Sequence, residues 1–296
     1  MNIFFDNVDF NSSSGPNSFG LKLASSLLKK GHFVSSENAD AQISFIQINH
    51  SVAPCLLRLD GIYFNSEQDW TKLNDPIRRS YDQAAAVVVQ SNFDKKLIFE
   101  YFDRRKNVFV IRNGTDLQEI ELIPPATLGD RDRDAVWMCA SSWRPHKRLS
   151  ENIDYFLEAA PDDAILLVAG ENADVFEHDR IIFLGNLSWQ QLISAMKASS
   201  HFLHLAWLDH CPNVVVDARA CGCHIVCSSS GGTEEIAGTN STVIDEDTWD
   251  MSPVKLYRPP KLDFTAARPG LNYDSIIDID IVTDDYLTVI SEMIEQ

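Results

Sequence analysis

Short apolar runs that alternate with helix-like segments constrain the fold of this chain more than any other feature. The clearest runs are AAAVVVQS at residues 84–91 and AILLVAG at 164–170. Runs without polar alternation are typical of strands covered on both faces, as in parallel sheets. Between such runs, apolar residues recur at helical spacing, as in SFGLKLASSLLKKGH at 18–32. The pattern predicts an α/β protein with parallel sheets.

The same alternation occurs twice, once on each side of a proline pair. Pro124-Pro125 and the polar stretch TLGDRDRD at 127–134 interrupt it, so we place a linker there. A length of 296 residues also fits two domains. Two doubly wound domains in tandem would hold a ligand in a cleft at the carboxyl ends of their strands. The expected parts are two domains and a C-terminal helix: residues 1–125, 126–277 and 278–296.

Charge and hydropathy narrow the class of partner. The formal net charge of −18 argues against binding to nucleic acid, because phosphate contacts need Lys and Arg. Residues 1–125 carry a net charge of only −2, so this half is the better candidate for contact with an acidic surface. Its stretch DKKLIFEYFDRRK at 94–106 fits weak contact with a membrane surface or an ordinary amphipathic helix. Without an 18-residue apolar run or a signal-like N-terminus, we expect a cytoplasmic protein.

The six cysteines raise the question of a metal or redox site. Four of them, Cys211, Cys221, Cys223 and Cys227, lie close together in the sequence. Their spacings do not match the paired ligand spacings of zinc sites. We therefore expect reduced cysteines that act as small core residues, with no bound metal.

A phosphate-binding helix start is predicted in the second half. PNVVVDARACG at 212–222 is typical of a helix with proline at its first turn and glycine after its end. A helix N-terminus attracts phosphate through free N–H groups and its dipole. Asp209 lies just before the helix and Asp217 lies within it. Since carboxylates repel phosphate, we expect these two side chains to contact sugar and ribose hydroxyls instead.

Four segments in this order resemble the retaining family 4 glycosyltransferases, which have the GT-B fold. The first is the Gly-Ser loop and helix at 12–32, and the second is VVVQSNFDKKLI…FVIRNGTD at 87–116. The third, WRPHKRL at 143–149, is similar to the family's basic phosphate-binding loop. The fourth is the pair Asp209-x7-Asp217, similar to the family's paired acids. The resemblance implies two Rossmann-like doubly wound domains that face a central cleft.

The resemblance also implies roles for individual residues. Lys147 matches the family's lysine on the donor diphosphate, and Arg144 takes the place of an arginine partner whose usual position holds Ser142. Asp217 matches the acid on the ribose, and Asp209 matches the acid near the donor sugar; both are Glu in the family. Asp60 stands where many relatives have a histidine close to the sugar. It is a candidate to bind a sugar hydroxyl or to shape an Asp-Gly turn.

Further candidate substrate-binding residues lie in loops. Gly15 suits a loop whose backbone approaches the ligand closely, and Pro16 and Asn17 would shape that loop. The remaining candidates follow strands or begin the predicted phosphate-binding helix: Gly170, Asn186, Leu187, Pro212, Asn213 and Val214.

The expected activity is a metal-independent hexosyl transfer with retention of anomeric configuration. The donor would be a UDP- or GDP-sugar, no cofactor is expected, and the acceptor would be a glycan, a lipid-linked molecule or a small molecule. Two alternatives stay open: an epimerase or phosphorylase of the same fold, and a non-catalytic nucleotide-sugar binding module. In relatives the last helix packs back on the N-terminal domain; here we expect its cap near Thr283 or Asp284.

Overall fold

Both apolar runs form central strands of parallel sheets. The computed structural model describes residues 1–12, 14–129, 131–273 and 275–295. Its backbone divides into two compact units. Unit 1 comprises Met1–Asp116, Met251–Val254 and Ile276–Gln296, and unit 2 comprises Leu117–Asp250 and Lys255–Ser275. Four residues of the predicted loop, linker, second domain and terminal helix lie outside the described residues: Ser13, Asp130, Asp274 and Gln296.

Unit 1 is built on a six-stranded sheet in the order β2-β1-β3-β4-β5-β6, with every pairing parallel. The strands are β1 Asn2–Asp6, β2 Phe33–Val34, β3 Ala41–Phe45, β4 Cys55–Leu59, β5 Ala86–Val89 and β6 Val108–Val110. The helices are α1 Gly15–Lys29, α2 Trp70–Gln83, α3 Asn92–Tyr101 and the C-terminal α9 Ile279–Ile294.

Helix α9 completes the core of unit 1. Its buried face, which includes Tyr286 and Ile290, packs with Phe19 of α1 and with apolar residues of β1 and β3. The approach is close at Gly114, where an added Cβ would lie 3.0 Å from the Ile279 Cα. The N-cap of α9 is Asp278, whose side chain accepts a hydrogen bond from the Asp280 N–H. The sequence-based cap near Thr283 or Asp284 is therefore wrong by more than one helical turn.

Unit 2 contains a seven-stranded sheet in the order β13-β12-β11-β10-β7-β8-β9, parallel except for the edge strand β13. The strands are β7 Val136–Ala140, β8 Ile165–Ala169, β9 Ile181–Gly185, β10 His201–His204, β11 His224–Ser228, β12 Ser241–Ile244 and β13 Ala267–Pro269. The helices are α4 Leu117–Leu122, α5 Leu149–Ala159, α6 Trp189–Lys197, α7 Asn213–Ala220 and α8 Glu234–Ala237.

The chain enters unit 2 at Leu117, ahead of the proline pair at which the sequence places the linker. Two side chains of α6 explain the difference. The Lys197 ammonium donates hydrogen bonds to the carbonyl oxygens of Ile120, Glu121 and Ile123. The Ser194 hydroxyl donates to the carbonyl oxygen of Pro124. These bonds attach α4 and the segment up to Pro124 to unit 2.

The cysteines are free thiols. Five are buried, and Cys221 is half-buried. Burial raises the pKa of the Cys223 thiol to about 11. In the part of the chain that the structure describes, no three His, Cys, Asp or Glu side chains are grouped as metal ligands. None of the described helices is both long enough and apolar enough to cross a bilayer.

Candidate active site

The site centres on an ion pair between Lys147 and Asp209. The Lys147 Nζ lies 2.6 Å from the Asp209 Oδ2, and both side chains are largely buried. Lys147 follows β7 and Asp209 follows β10, which are neighbouring parallel strands. From β7 the chain continues to β8 on one side and returns through β10 on the other. The pair therefore lies at the topological switch point, where open α/β sheets bind their ligands.

His204, which the sequence reasoning missed, is a third member of this site. Its Nε2 lies 2.7 Å from the same Asp209 Oδ2, and only 4% of its side chain is exposed. Burial lowers the pKa of His204, and the hydrogen bond to Asp209 only partly offsets this. Because an ionised carboxylate only accepts hydrogen bonds, the His204 Nε2 carries a proton and donates a hydrogen bond to Asp209. The sequence does contain a signal for this residue, since His204 interrupts an otherwise apolar strand in HFLHLAW at 201–207.

Asp209 is held as a carboxylate. Burial alone would raise its pKa, but the Lys147 ammonium and the His204 hydrogen bond outweigh this and hold the pKa well below its usual range. The backbone N–H of His210 donates to the other carboxylate oxygen at 3.0 Å. The charge of Lys147 is therefore already matched by Asp209 before any ligand binds.

A glycine turn fixes the backbone of Asp209. The Gly232 N–H donates to the Asp209 carbonyl oxygen at 2.7 Å. Gly231 has a φ of +82°, and an added Cβ would lie 2.3 Å from that same oxygen. No side chain fits at this position, which explains one of the two glycines that follow β11.

Arg144 is the accessible cation of the same loop. It is exposed, and its side chain makes no ion pair with the residues that the structure describes. The following residues, Pro145–Lys147, form a short 3-10 helix. His146 within it is buried, and burial, with the adjacent Lys147 charge, lowers its pKa to about 3. Its carbonyl oxygen accepts a hydrogen bond from the Trp207 N–H at 2.7 Å, which anchors the basic loop to the segment after β10.

Helix α7 begins beside these residues. Its N-cap is Pro212, and its first turn carries no acidic side chain. Pro212, Asn213 and Val214 are each partly exposed. The helix start thus offers a positive dipole end three residues after Asp209, as the sequence predicts.

Asp217 lies deeper than expected for a ribose-binding residue. It is 2% exposed on α7, and the Trp189 indole Nε1 donates to its Oδ2 at 3.0 Å. The carboxylate thus already has a protein partner, and a ribose hydroxyl would have to share it. Trp189, at the start of α6, is a further residue that the sequence reasoning did not single out.

Gly170 and the segment after β9 also lie at this edge of the sheet. Gly170 has a φ of +113°, and an added Cβ would lie 1.8 Å from the Ser141 carbonyl oxygen. Close approach of protein backbone therefore accounts for this glycine. Asn186 is exposed and its amide donates to the Glu171 carboxylate at 3.1 Å, while Leu187 is half-buried.

Gly15, Pro16 and Asn17 do not form the expected loop. They are the first turn of α1, with proline in its favoured place at the helix start. Gly15 lacks the positive φ that would require glycine. Asn17 Oδ1 accepts a hydrogen bond from the Asp9 N–H at 3.0 Å, so it stabilises the preceding turn. The loop prediction overlooked this helix start.

Asp60, the other predicted catalytic residue, belongs to unit 1. It directly follows β4, and Gly61 after it has a φ of +112°. Its carboxylate accepts hydrogen bonds from the Arg58 guanidinium and from the Gln90 amide. Asp60 therefore has protein hydrogen-bond partners for its carboxylate, and it also begins the predicted Asp-Gly turn.

Comparison with known proteins gives a family match to the part of unit 2 just described. Residues 131–253 match the family model of the glycosyl transferases group 1. An uncharacterised glycosyltransferase of Methanocaldococcus jannaschii is 24% identical over an alignment of 195 residues, and the match covers 60% of this chain. The chain spans about half the length of this curated relative, since the match covers 49% of it.

Solved structures match over the whole chain. Anabaena HepE, crystallised with UDP and glucose, superposes with a TM-score of 0.68 at 14% identity and covers 99% of this chain and 100% of its own. AviGT4, a glycosyltransferase involved in avilamycin A biosynthesis, gives a TM-score of 0.63 at 11% identity and covers 100% and 98%. This chain has the GT-B fold.

The GT-B assignment confirms the fold that the sequence resemblance implies: two Rossmann-like units with parallel sheets. The family match of residues 131–253 contains the four charged candidate residues of unit 2, namely Arg144, Lys147, Asp209 and Asp217. At these low identities, the solved structures support the fold, and the roles of these residues depend on the geometry described above.

Proposed function

We propose that this GT-B protein is a glycosyltransferase that moves a sugar from a nucleotide-diphosphate sugar to an acceptor hydroxyl. The observation that carries the proposal is the grouping, at the switch point of unit 2, of the exposed Arg144, the Lys147–Asp209 pair and the start of α7. Two cations and a helix N-terminus suit a diphosphate, while Asp209 suits hydroxyl groups. The match to the glycosyl transferases group 1 supports the same reaction class.

In the proposed mechanism, positive charge stabilises the departing nucleotide diphosphate. The anomeric C–O bond to the β-phosphate breaks, and a bond to the acceptor oxygen forms. The negative charge that develops on the phosphate is stabilised by Arg144, Lys147 and the α7 N–H groups. The departing phosphate oxygen takes the acceptor proton, so the step needs no separate protein base. Resemblance to the retaining family favours retention of anomeric configuration and a hexosyl group.

Lys147 would exchange partners in this mechanism. Without a donor, its ammonium is 2.6 Å from Asp209. A diphosphate brings more negative charge than Asp209, and Arg144 adds a cation that Asp209 does not neutralise. Donor binding would then release one Asp209 oxygen from Lys147 for a sugar hydroxyl, with His204 holding the carboxylate in place.

A panel of nucleotide sugars tests the proposal. UDP- and GDP-sugars are mixed with the protein, and thermal unfolding and nucleotide release are recorded. A specific donor stabilises the folded protein by mass action and so raises its melting temperature. At a hundredfold excess over the dissociation constant, the free energy of unfolding increases by about 2.7 kcal/mol. UDP-glucose is the first choice, since HepE was crystallised with UDP and glucose.

Two further results of this panel bear on the proposal. We expect EDTA to leave activity unchanged, because Arg144 and Lys147 supply the charge that a metal would otherwise provide. Stabilisation by a donor without transfer to any acceptor would indicate a binding module instead. A flat panel, with no nucleotide sugar shifting the melting temperature, would contradict the proposed function as a whole.

A further inference from the structure

The connection between β3 and β4 is too short to hold a crossover helix. These strands are adjacent and parallel, and only residues 46–54 join them. Parallel neighbours usually need a dozen or more residues, most often with a helix that covers the sheet. Residues 46–54, all of which the structure describes, contain no helix. The sheet face that such a helix would cover is left to this connection and to α2.

A cavity of about 350 Å³ lies between this connection and α2, and we call it the α2 cavity. The Ile48 N–H donates to the Ser80 hydroxyl at 2.9 Å, and that hydroxyl donates to the Pro76 carbonyl oxygen at 2.8 Å. These three residues form part of the lining, and all the lining residues belong to unit 1. The other lining side chains are polar: Gln47, Asn49, Arg79 and Gln83. Cavities of this size hold small molecules.

Hydrogen bonds hold the wall that the connection forms. The buried Asp6 carboxylate accepts a hydrogen bond from the Asn49 N–H at 2.7 Å. The Asn49 side chain accepts from the Gln47 amide at 2.9 Å and donates to Asn7 Oδ1 at 3.1 Å. Because these bonds are present without a ligand, binding at this wall would require little further ordering of the chain.

The connection leaves β3 through a strained residue. Ile46 has a φ of +68°, and the Gln47 N–H donates to the Phe45 carbonyl oxygen at 2.8 Å, which closes a γ-turn. A positive φ is rare for a β-branched residue. Such strain persists only where the surrounding structure holds it, and it is most common at functional sites. Since Gln47 follows the turn and lines the cavity, the strain favours a functional role for this wall.

Several polar groups of the α2 cavity have no protein partner. Arg79 is exposed and forms no hydrogen bond or ion pair with the residues that the structure describes. The preceding Arg78, by contrast, pairs with Asp103 at 3.0 Å. The Gln83 amide also lacks a hydrogen bond to any described residue, and Gln47 Oε1 accepts none from them. A guanidinium and two amides are therefore available to a ligand.

The chemistry of these groups selects a class of ligand. Arg79 carries the only charge among the described lining residues, and a guanidinium binds carboxylate or phosphate through two parallel hydrogen bonds. An amide presents both a donor and an acceptor, which suits hydroxyl groups. The net charge of −18 repels anions at long range, so the affinity for an anion has to come from groups at the site.

We propose that the α2 cavity binds a small hydroxylated anion, of the class of sugar phosphates and sugar acids. Arg79 binds the anionic group, and the amides of Gln47 and Gln83 contact hydroxyls. The site uses residues of unit 1 alone, and binding requires no nucleotide sugar. It is therefore a second ligand site, independent of the proposed glycosyl transfer.

Titration of the full chain tests this site. The probes are glucose 6-phosphate and glucuronate, with glucose and inorganic phosphate as the uncharged and the hydroxyl-free controls. The proteins are the wild type, Arg79→Met, Gln83→Leu and the matched control Arg78→Met, which removes an arginine at the adjacent position of the same helix. Calorimetry gives the affinities, backbone amide NMR signals locate the binding, and thermal unfolding checks the fold.

We expect the wild type to bind at least one of the two sugar anions more tightly than glucose or phosphate, and their order tells phosphate from carboxylate as the preferred group. Arg79→Met should weaken this binding roughly tenfold or more, since a charge-assisted contact is lost. Gln83→Leu should weaken sugar-anion binding but not phosphate binding. Arg78→Met should stay within about twofold of wild type, because a more distant exposed charge is screened. Since Arg79 and Gln83 are exposed, neither change should lower the melting temperature.

Four results would overturn the site. They are no binding of either sugar anion to the wild type, phosphate binding as tight as that of glucose 6-phosphate, equal losses in Arg78→Met and Arg79→Met, and unchanged amide signals at residues 47–49 and 79–83. Failure of the proposed function looks different, because a wild type that binds these sugar anions but no nucleotide sugar would still support the α2 cavity as a site.

Discussion

Lys147 shows how one side chain can serve both stability and binding. Its ammonium neutralises the buried Asp209 carboxylate in the absence of a ligand. The same ammonium is proposed to meet the donor diphosphate. Removal of the charge should therefore have two separate effects, one on unfolding and one on turnover.

For Lys147→Met, we expect loss of donor binding and transfer, and a loss of about 1–3 kcal/mol in the free energy of unfolding, since Asp209 loses a charged partner. Lys29→Met is the control: it also breaks a 2.6 Å lysine–aspartate pair, but the Lys29 side chain is 43% exposed, so a cost of about 0–1 kcal/mol is expected. Denaturant unfolding and nucleotide-sugar titration measure the two effects. Full transfer activity in Lys147→Met would exclude the phosphate role.

His146 should make the fold sensitive to mild acid. Burial, with the charge of Lys147, lowers its pKa to about 3 from the usual value of 6.5 for histidine. Between these values the unfolded chain binds a proton that the folded chain does not. Stability should therefore be complete above about pH 6.5 and fall as the pH decreases, by up to about 1.4 kcal/mol per pH unit.

Replacement of His146 by phenylalanine should flatten this pH dependence. Urea unfolding between pH 7 and pH 4 gives the slope, and His178→Phe, at an exposed position, serves as the control. An identical slope in wild type and His146→Phe would show that the imidazole remains accessible to protons when the protein is folded.

At the scale of elements, one glycine turn positions the site, because Gly231 allows the backbone of Asp209 to approach closely. Gly231 and Gly31 have nearly the same φ, +82° and +80°, but only Gly231 has backbone within reach of an added Cβ. The two positions therefore separate the cost of the dihedral angle from the cost of the clash.

We expect Gly31→Ala to cost about 1 kcal/mol, for the left-handed conformation alone. Gly231→Ala should cost about 2–4 kcal/mol, because the Cβ would displace the Asp209 carbonyl and with it the carboxylate. Thermal unfolding gives the stabilities, and titration with a nucleotide sugar reports the site. Equal costs at the two positions would contradict the close approach described for the Asp209 backbone.

The elements that sequence predicts well are those specified locally. The continuous apolar runs become β5 and β8. Ser188 caps α6 with a full capping box, a role that suits its hydroxyl. Helix α7 starts after Pro212 as expected. The Gly-Ser stretch misled the prediction, because a polar composition fits a loop as well as the first turn of α1.

Contacts between side chains that are distant in sequence could not be predicted from the sequence. The sequence around Asp217 does not indicate that Trp189, 28 residues earlier, donates a hydrogen bond to it. The Arg58 guanidinium likewise donates to Asn113, which is 55 residues later in the chain. The pair Lys147–Asp209 could be named only through resemblance, and its link to His204 required the structure. Local periodicity fixes strands and helices, but such contacts depend on how they pack.

At the scale of the whole molecule, the core of unit 1 depends on α9, although unit 2 lies between the unit 1 strands and this helix in the sequence. Ile290 is fully buried in the core of unit 1, whereas Ile281 on the same helix is 45% exposed. We expect Ile290→Ala to destabilise unit 1 by about 2–5 kcal/mol and Ile281→Ala to have little effect. Hydrogen exchange should show lost protection in α1 and the unit 1 strands. Uniform loss across both units would mean that they unfold as one.

The late position of α9 has a consequence for biosynthesis. During translation, the six strands of unit 1 are made before α9, so one face of their core stays uncovered until α9 emerges from the ribosome. Unit 2 consists mostly of one uninterrupted stretch, so it can fold while the core of unit 1 is still incomplete. Unit 1 would then finish folding after unit 2 although its strands are made earlier, and its uncovered core would depend on chaperones for longer than unit 2 does.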